Sequence, residues 1–148
     1  MSLKRIAIVV GALGALVGVY MALDAMFVSE EEELEAIAED FSGTITNERI
    51  ERALTHFDPD VQPLEVNARG VARVYGAGSA GDLRRDAIRG LSGLMGDSPR
   101  KLRGGVTVED DRGEIRMYLV TSEGTANVEM RLQRRDERWL VSRFQVTR

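Results

Sequence analysis

The chain opens on an apolar block and then settles into short periodic segments. From Ile6 to Leu23 eighteen consecutive residues carry no charge, and most are Ile, Val, Leu, Ala or Gly. As a helix rising about 1.5 Å per residue, the block covers roughly 27 Å, close to the hydrocarbon thickness of a bilayer. Further on, Leu34, Ile37, Ala38 and Phe41 recur at i, i+3, i+4 and i+7, which predicts a helix over 30–41. Ser42-Gly43-Thr44 breaks it, and Thr46 or Asn47 can cap a second helix with the stripe Ile50, Ala53, Leu54 and Phe57. Asp58-Pro59-Asp60 ends that one.

The period then changes to two. Leu64, Val66, Ala68, Ala72 and Val74 share one parity, which makes either one long strand or, with a turn at Asn67 to Gly70, a short hairpin. Gly76 to Gly81 reads as a loop, and Ser79 or Asp82 caps a third helix bearing Leu83, Ala87, Ile88, Leu91, Leu94 and Met95. Everything after Pro99 is strand and turn. The apolar sets are Leu102, Val106 and Val108; then Ile115, Met117 and Leu119; then Ala126, Val128, Met130 and Leu132. In the last strand Trp139 and Val141 have one parity and Phe144 and Val146 the other, which predicts a bulge near Ser142–Arg143. Three helices and an antiparallel meander of four strands define an α+β class, with helices on one face of a curved, mainly antiparallel sheet.

Charge places the block relative to a membrane. Lys4 and Arg5 precede it, and the next base is Arg49. By the positive-inside rule the N-terminus is cytoplasmic and the remainder crosses. The expected organisation is a cytoplasmic tip and transmembrane anchor over 1–28, then an extracytoplasmic domain over 29–148, in a cell (inner) membrane. Ala22-Leu23-Asp24-Ala25 is a poor signal-peptidase site, which favours retention over a cleaved, secreted domain. Gly14 and Gly18, with Gly11 on a parallel line, form small-xxx-small spacings along which two anchors can pack, so a homodimer is compatible with the sequence.

From Phe41 onward 18 basic residues face 16 acidic ones, a near balance that excludes a nucleic-acid binder with an overall basic face. The chain has no cysteine, so disulfides and thiolate metal sites are excluded. His56 is the sole histidine, and with Asp58 and Asp60 it forms the one weak acid–base constellation. It sits on the flank of its helical stripe, and helix-end and turn roles are the simpler reading of all three. No metal-site spacing and no phosphate-binding loop occur, and no cofactor is expected. Tyr75 and Tyr118 fall on the outer parity of their strands. The inward set is aliphatic: Val66, Val74, Val108, Met117, Leu119, Val128, Met130 and Leu132. That set makes either a filled core or an apolar ligand pocket. Bases on and after the third helix (Arg84, Arg85, Arg89, Arg100, Lys101, Arg103) and around the last hairpin (Arg131, Arg134, Arg135, Arg138) read first as a solvated face.

The stretches Ala53-Leu54-Thr55-His56-Phe57-Asp58-Pro59-Asp60-Val61 and Arg138-Trp139-Leu140-Val141-Ser142-Arg143-Phe144-Gln145-Val146, with the order of elements, resemble the nuclear transport factor 2-like superfamily. This is the cone-like roll shared by ketosteroid isomerase and scytalone dehydratase. A short cytoplasmic tail, one helix and an external domain of this kind is also similar to the assembly subunits of type IV secretion systems and to mycobacterial membrane proteins of lipid-import complexes. The resemblance implies a scaffold or docking role toward another envelope protein. The alternative it implies is a small apolar ligand-binding or isomerase/dehydratase-like enzyme.

Overall fold

The computed structural model describes residues 28–148. Of these, Glu31–Arg148 form one compact unit. The expected anchor, with Gly11, Gly14 and Gly18, lies outside the described residues. Among those described, no helix is long and apolar enough to cross a membrane.

Helix α1 spans Glu30–Asp40 and α2 spans Asn47–Leu54. The strands are β1 Leu64–Ala68, β2 Val71–Tyr75, β3 Arg100–Glu109, β4 Arg112–Thr121, β5 Gly124–Arg135 and β6 Arg138–Thr147. Helix α3, Ala80–Leu91, lies between β2 and β3 and runs on into a 3-10 turn at Ser92–Leu94. The six strands form one mixed sheet in the order β2-β1-β6-β5-β4-β3. Only β1 and β6 run parallel; every other neighbour pair is antiparallel. The last strand therefore joins the hairpin β1–β2 to the meander β3–β5.

The core lies between the helices and one face of this sheet. Leu34, Ile37 and Ala38 of α1 and Leu83 of α3 meet Ile115, Met117, Leu119, Val128, Met130, Leu132, Trp139 and Val141. The α1 stripe is thus the predicted one. Its close seat depends on Gly113: a Cβ there would stand 2.6 Å from Leu34 Cδ2 and 3.3 Å from Trp139 Cζ3. Thr46 caps α2 as its position predicts, its side chain accepting from Arg49 N–H at 3.1 Å. Arg49 in turn donates to Glu39 O (3.1 Å) and Ser42 O (2.5 Å), closing the carboxyl end of α1. Rings of Phe41, Phe57 and Phe144 form a triangle with centroids 5.8–6.0 Å apart, tying α1, the end of α2 and β6 together.

The predicted bulge in β6 is present. Arg131 pairs with Arg143 while Leu132 pairs with Val141, so Ser142 is the extra residue and Trp139, Val141, Phe144 and Val146 all reach the same face. A second bulge interrupts β3 between Lys101 and Arg103 and leaves Leu102 exposed.

One assignment of inward residues is corrected. Ala68 pairs with Val71 and Leu64 with Tyr75, across a two-residue loop in which Arg69 and Gly70 have φ of 56° and 77°. Directly opposed residues share a face, so even positions of β1 match odd positions of β2. Val74, expected inside, is 70 % exposed, whereas Tyr75, expected outside, is buried in the core. The third helix also buries less than its pattern suggests: Leu83 alone is buried, and Met95 is exposed.

Candidate functional site

Two regions carry chemistry, one at the helix ends and one on the outer face of the sheet. At the helix ends the predicted constellation does not assemble. His56 follows α2, and its ring turns toward α1, where Nε2 lies 2.7 Å from Asp40 Oδ2 with both side chains 19 % exposed. Its ring centroid is 6.3 Å from that of Phe41, and its carbonyl accepts from Val141 N–H. Asp58 instead accepts from Arg138 (3.1 Å), and Asp60 accepts from Gly78 N–H (2.7 Å). Each of the three residues thus fastens a different element. Asp40 was invisible as the histidine's partner because sixteen residues and a helix boundary separate them.

A second polar pair joins β2 to α3. The buried Tyr75 hydroxyl donates to Asp86 Oδ2 at 2.7 Å, and Arg73 bonds the same carboxylate. Burial, then the hydrogen bond to Asp86 and that group's charge, pushes the Tyr75 phenol above its ordinary value, with Arg73 opposing. Asp86 is held below the ordinary carboxylate value by the Tyr75 hydrogen bond, aided by Arg73, Arg89 and Arg85 and opposed by partial burial. This keeps a neutral phenol against an ionised carboxylate, an arrangement that locks a strand to a helix. Among the described residues, the indole Nε1 of Trp139 and Nε of Arg143 are buried without a hydrogen-bond partner.

The proposed pocket residues are mostly packed into the core. Met117, Leu119, Val128 and Met130 are buried; Val66 and Val108 are partly buried against them; Val74 points away. Many of the basic residues have partners: Arg84 with Glu51 (2.7 Å), Arg85 with Asp82 (3.0 Å) and Arg138 with Asp58. Among the described residues, no group of three or more metal-ligating side chains is arranged to hold a metal ion.

The outer face of β3–β6 holds a trough of about 720 Å³. Strand register arranges its floor in cross-strand rows. Thr107 stands opposite Glu114 in one row, and Gly105, Arg116 and Glu129 stand opposite one another in the next; Arg131, opposite Glu114 on β5, lies outside the lining. Gly105, with nothing within 4 Å of where a Cβ would sit, keeps the β3 side open. Arg103 lies over the Tyr118 ring, 5.1 Å from its centroid. Tyr118 thus sits on the outer parity as expected. Charge on this face of the sheet alternates: Arg116 pairs with Glu114 along β4, and Arg131 lies 3.8 Å from Glu129 along β5.

Comparison with known proteins places the fold. No family model and no curated protein matches the sequence. Among solved structures, a protein of unknown function with a cystatin-like fold from Nostoc punctiforme matches with a TM-score of 0.61 at 18 % identity, covering 80 % of this chain and 92 % of that one. A proposed dehydratase of the NTF2-like family from Streptomyces avermitilis matches with 0.60 at 12 % identity, covering 79 % and 94 %. A third match, TM-score 0.55 at 14 % identity, is a proposed calcium/calmodulin dependent protein kinase II association domain from Xanthomonas campestris, covering 80 % and 87 %. The described domain therefore has the cystatin-like, NTF2-like α+β fold. At these identities the likeness speaks for the fold alone.

Proposed function

We propose that this chain is a single-pass membrane-anchored, extracytoplasmic binding or scaffold module of the cell envelope, with an envelope protein as partner. The observation that carries the reading is the uncharged run Ile6–Leu23 behind Lys4 and Arg5, with no further base before Arg49. The polar side chains best placed for catalysis support it, because each is committed to holding elements together: His56 to Asp40, Tyr75 to Asp86, Asp58 to Arg138 and Asp60 to Gly78. Since the chain lacks cysteine, single cysteines at Ser2 and Thr125 make a clean topology test. A membrane-impermeant maleimide added to intact spheroplasts is expected to label Thr125→Cys and spare Ser2→Cys, with the protein retained in alkali-washed membranes. Recovery in the soluble fraction, or the reverse labelling, overturns the reading. So does a detergent-solubilised protein that is consistently monomeric and alone after cross-linking in intact cells.

A ligand-binding or isomerase/dehydratase-like cone is the second reading. It is favoured by the partnerless buried Trp139 indole N–H beside an aliphatic inner face. Quenching or shifting of the emission of this sole tryptophan by a small apolar carbonyl compound would support it; indifference to a broad panel would remove it.

A further inference from the structure

At one end of the sheet β3 begins, β4 turns into β5, β6 ends and β1 turns into β2. We propose that this rim docks on a lipid surface bearing anionic headgroups. Its bases are Arg69, Arg100, Lys101, Arg103 and Arg148. Its acids are Glu123, in the β4–β5 turn, and Asp97, on the segment that packs against that turn. Both acids are already engaged. Glu123 lies 3.4 Å from Arg148 and 3.9 Å from Arg69, and Asp97 accepts from the Ser122 N–H and hydroxyl and from Ser98 N–H. Arg103 stacks over Tyr118, whereas Arg100 and Lys101 are exposed and have no ion-pair partner among the described residues. The rim thus carries cations whose counter-charge must come from outside.

Three exposed large apolar side chains stand among these cations: Val71 (69 %), Leu102 (53 %) and Met95 (43 %). The bulge in β3 turns Leu102 out between Lys101 and Arg103. Val71 opens β2, the opposite edge strand, and six strands about 4.8 Å apart put the two edges roughly 24 Å apart. Side chains so spread line no pocket and form no contiguous patch for a protein partner. A lipid surface is flat on that scale, takes isolated apolar side chains at its headgroup boundary and brings anionic headgroups to wherever the cations stand. The opposite rim differs in sign, with Glu109, Asp110, Asp111, Asp136 and Glu137 among its arginines. Helix α1 begins at that end, since Leu34 lies against Gly113 while Gly43, just past the helix, donates its N–H to Pro99 O. With it come Glu30 to Glu33, so an anionic surface repels one end of the domain and draws the other. The inference stands apart from the proposed envelope role, since it uses only the described domain.

The test uses the full chain in phosphatidylcholine nanodiscs, with an environment-sensitive fluorophore on a single cysteine, which the cysteine-free sequence permits. The label sits at Leu102→Cys in one preparation and at Asp110→Cys, on the opposite rim, in another. Vesicles of phosphatidylcholine with phosphatidylglycerol are expected to brighten and blue-shift the label at 102 and to leave the label at 110 unchanged. Vesicles of phosphatidylcholine alone are expected to shift neither. Each base near a charged membrane strengthens binding by about fivefold. Arg100→Glu with Lys101→Glu is therefore expected to raise the lipid needed for half the response by about twentyfold or more, with Trp139 emission unchanged.

The unaltered rim supplies an independent measure, because raising the salt is expected to weaken the response at 102 as the headgroup field is screened. No response at 102, an equal response at both labels, or an equal response to neutral vesicles overturns the proposal. Indifference to the charge reversal overturns it as well. So does the same blue shift on adding soluble polyglutamate in place of vesicles, which would assign the rim to an acidic polypeptide.

Discussion

Adding one methyl group at Gly113 tests how α1 is held. The position lies in β4, where a Cβ would meet Leu34 Cδ2 at 2.6 Å and Trp139 Cζ3 at 3.3 Å. Carbon atoms in good contact sit about 3.5–4.0 Å apart, so the first approach is short by about 1 Å. Leu34 is fully buried and Trp139 is 5 % exposed, so neither side chain can swing into solvent to make room. The helix must lift or Leu34 must leave its rotamer, and overpacking of this kind costs about 1–3 kcal/mol. With an unfolding entropy of about 2.1 cal/mol/K per residue, a domain of roughly 120 residues loses about 4 °C per kcal/mol. Gly113→Ala is therefore expected to lower Tm by about 4–12 °C, and the emission of Trp139, the only tryptophan in the chain, reports the transition directly. The clash makes a second, sharper claim. Leu34→Ala alone is destabilising by about 2–5 kcal/mol through the cavity it opens. In that background Gly113→Ala should be nearly neutral or stabilising, because the added methyl enters the space the leucine left. Additive losses in the double variant would refute the packing argument, since residues that do not meet do not couple.

Arg49→Ala removes the donor that closes α1 on Glu39 and Ser42 and should cost about 1–2 kcal/mol in urea unfolding, with Arg49→Lys recovering only part of it. Arg69→Asn places the residue pair preferred for a two-residue hairpin where an arginine now holds φ of 56°, and should raise stability by about 0.5–1 kcal/mol. Asp97 is held below the ordinary carboxylate value by hydrogen bonds from the Ser122 backbone and side chain and from Ser98 N–H, and Asp86 is also depressed. A lowered carboxylate pKa contributes stability above the unfolded value and loses it as pH falls. The urea midpoint should thus fall below about pH 4, and Asp97→Asn should flatten part of that fall.

The elements were legible where periodicity was long and burial one-sided. The α1 stripe, the Thr46 cap and the parity switch at Ser142 could all be read because each leaves a local mark. The hairpin β1–β2 was misread for a reason also present in the chain. Taken as a loop of two residues, Arg69-Gly70 reverses the parity and sends Tyr75 inward; read as one continuous alternation it sends Val74 there. The His56–Asp40 and Tyr75–Asp86 pairs left no such mark. They depend on which helix ends and strands the fold brings together, and spacing along the chain carries no trace of that. The outer face of the sheet falls between these cases: alternating Arg and Glu along β4 and β5 is visible, but only the register sets opposite charges side by side.

The parallel pairing of β1 with β6 has a consequence for the order of events during biogenesis. Glu65 meets Arg143 across most of the domain's length, and nothing else in the sheet connects the β1–β2 hairpin to the meander. A chain that has emerged only as far as β5 holds two unjoined pieces of sheet with an open edge on each. The hydrogen-bonded whole waits for the final strand, so closure is a late and non-local step with a high contact order. Such a domain sets only when β6 takes its place between β1 and β5.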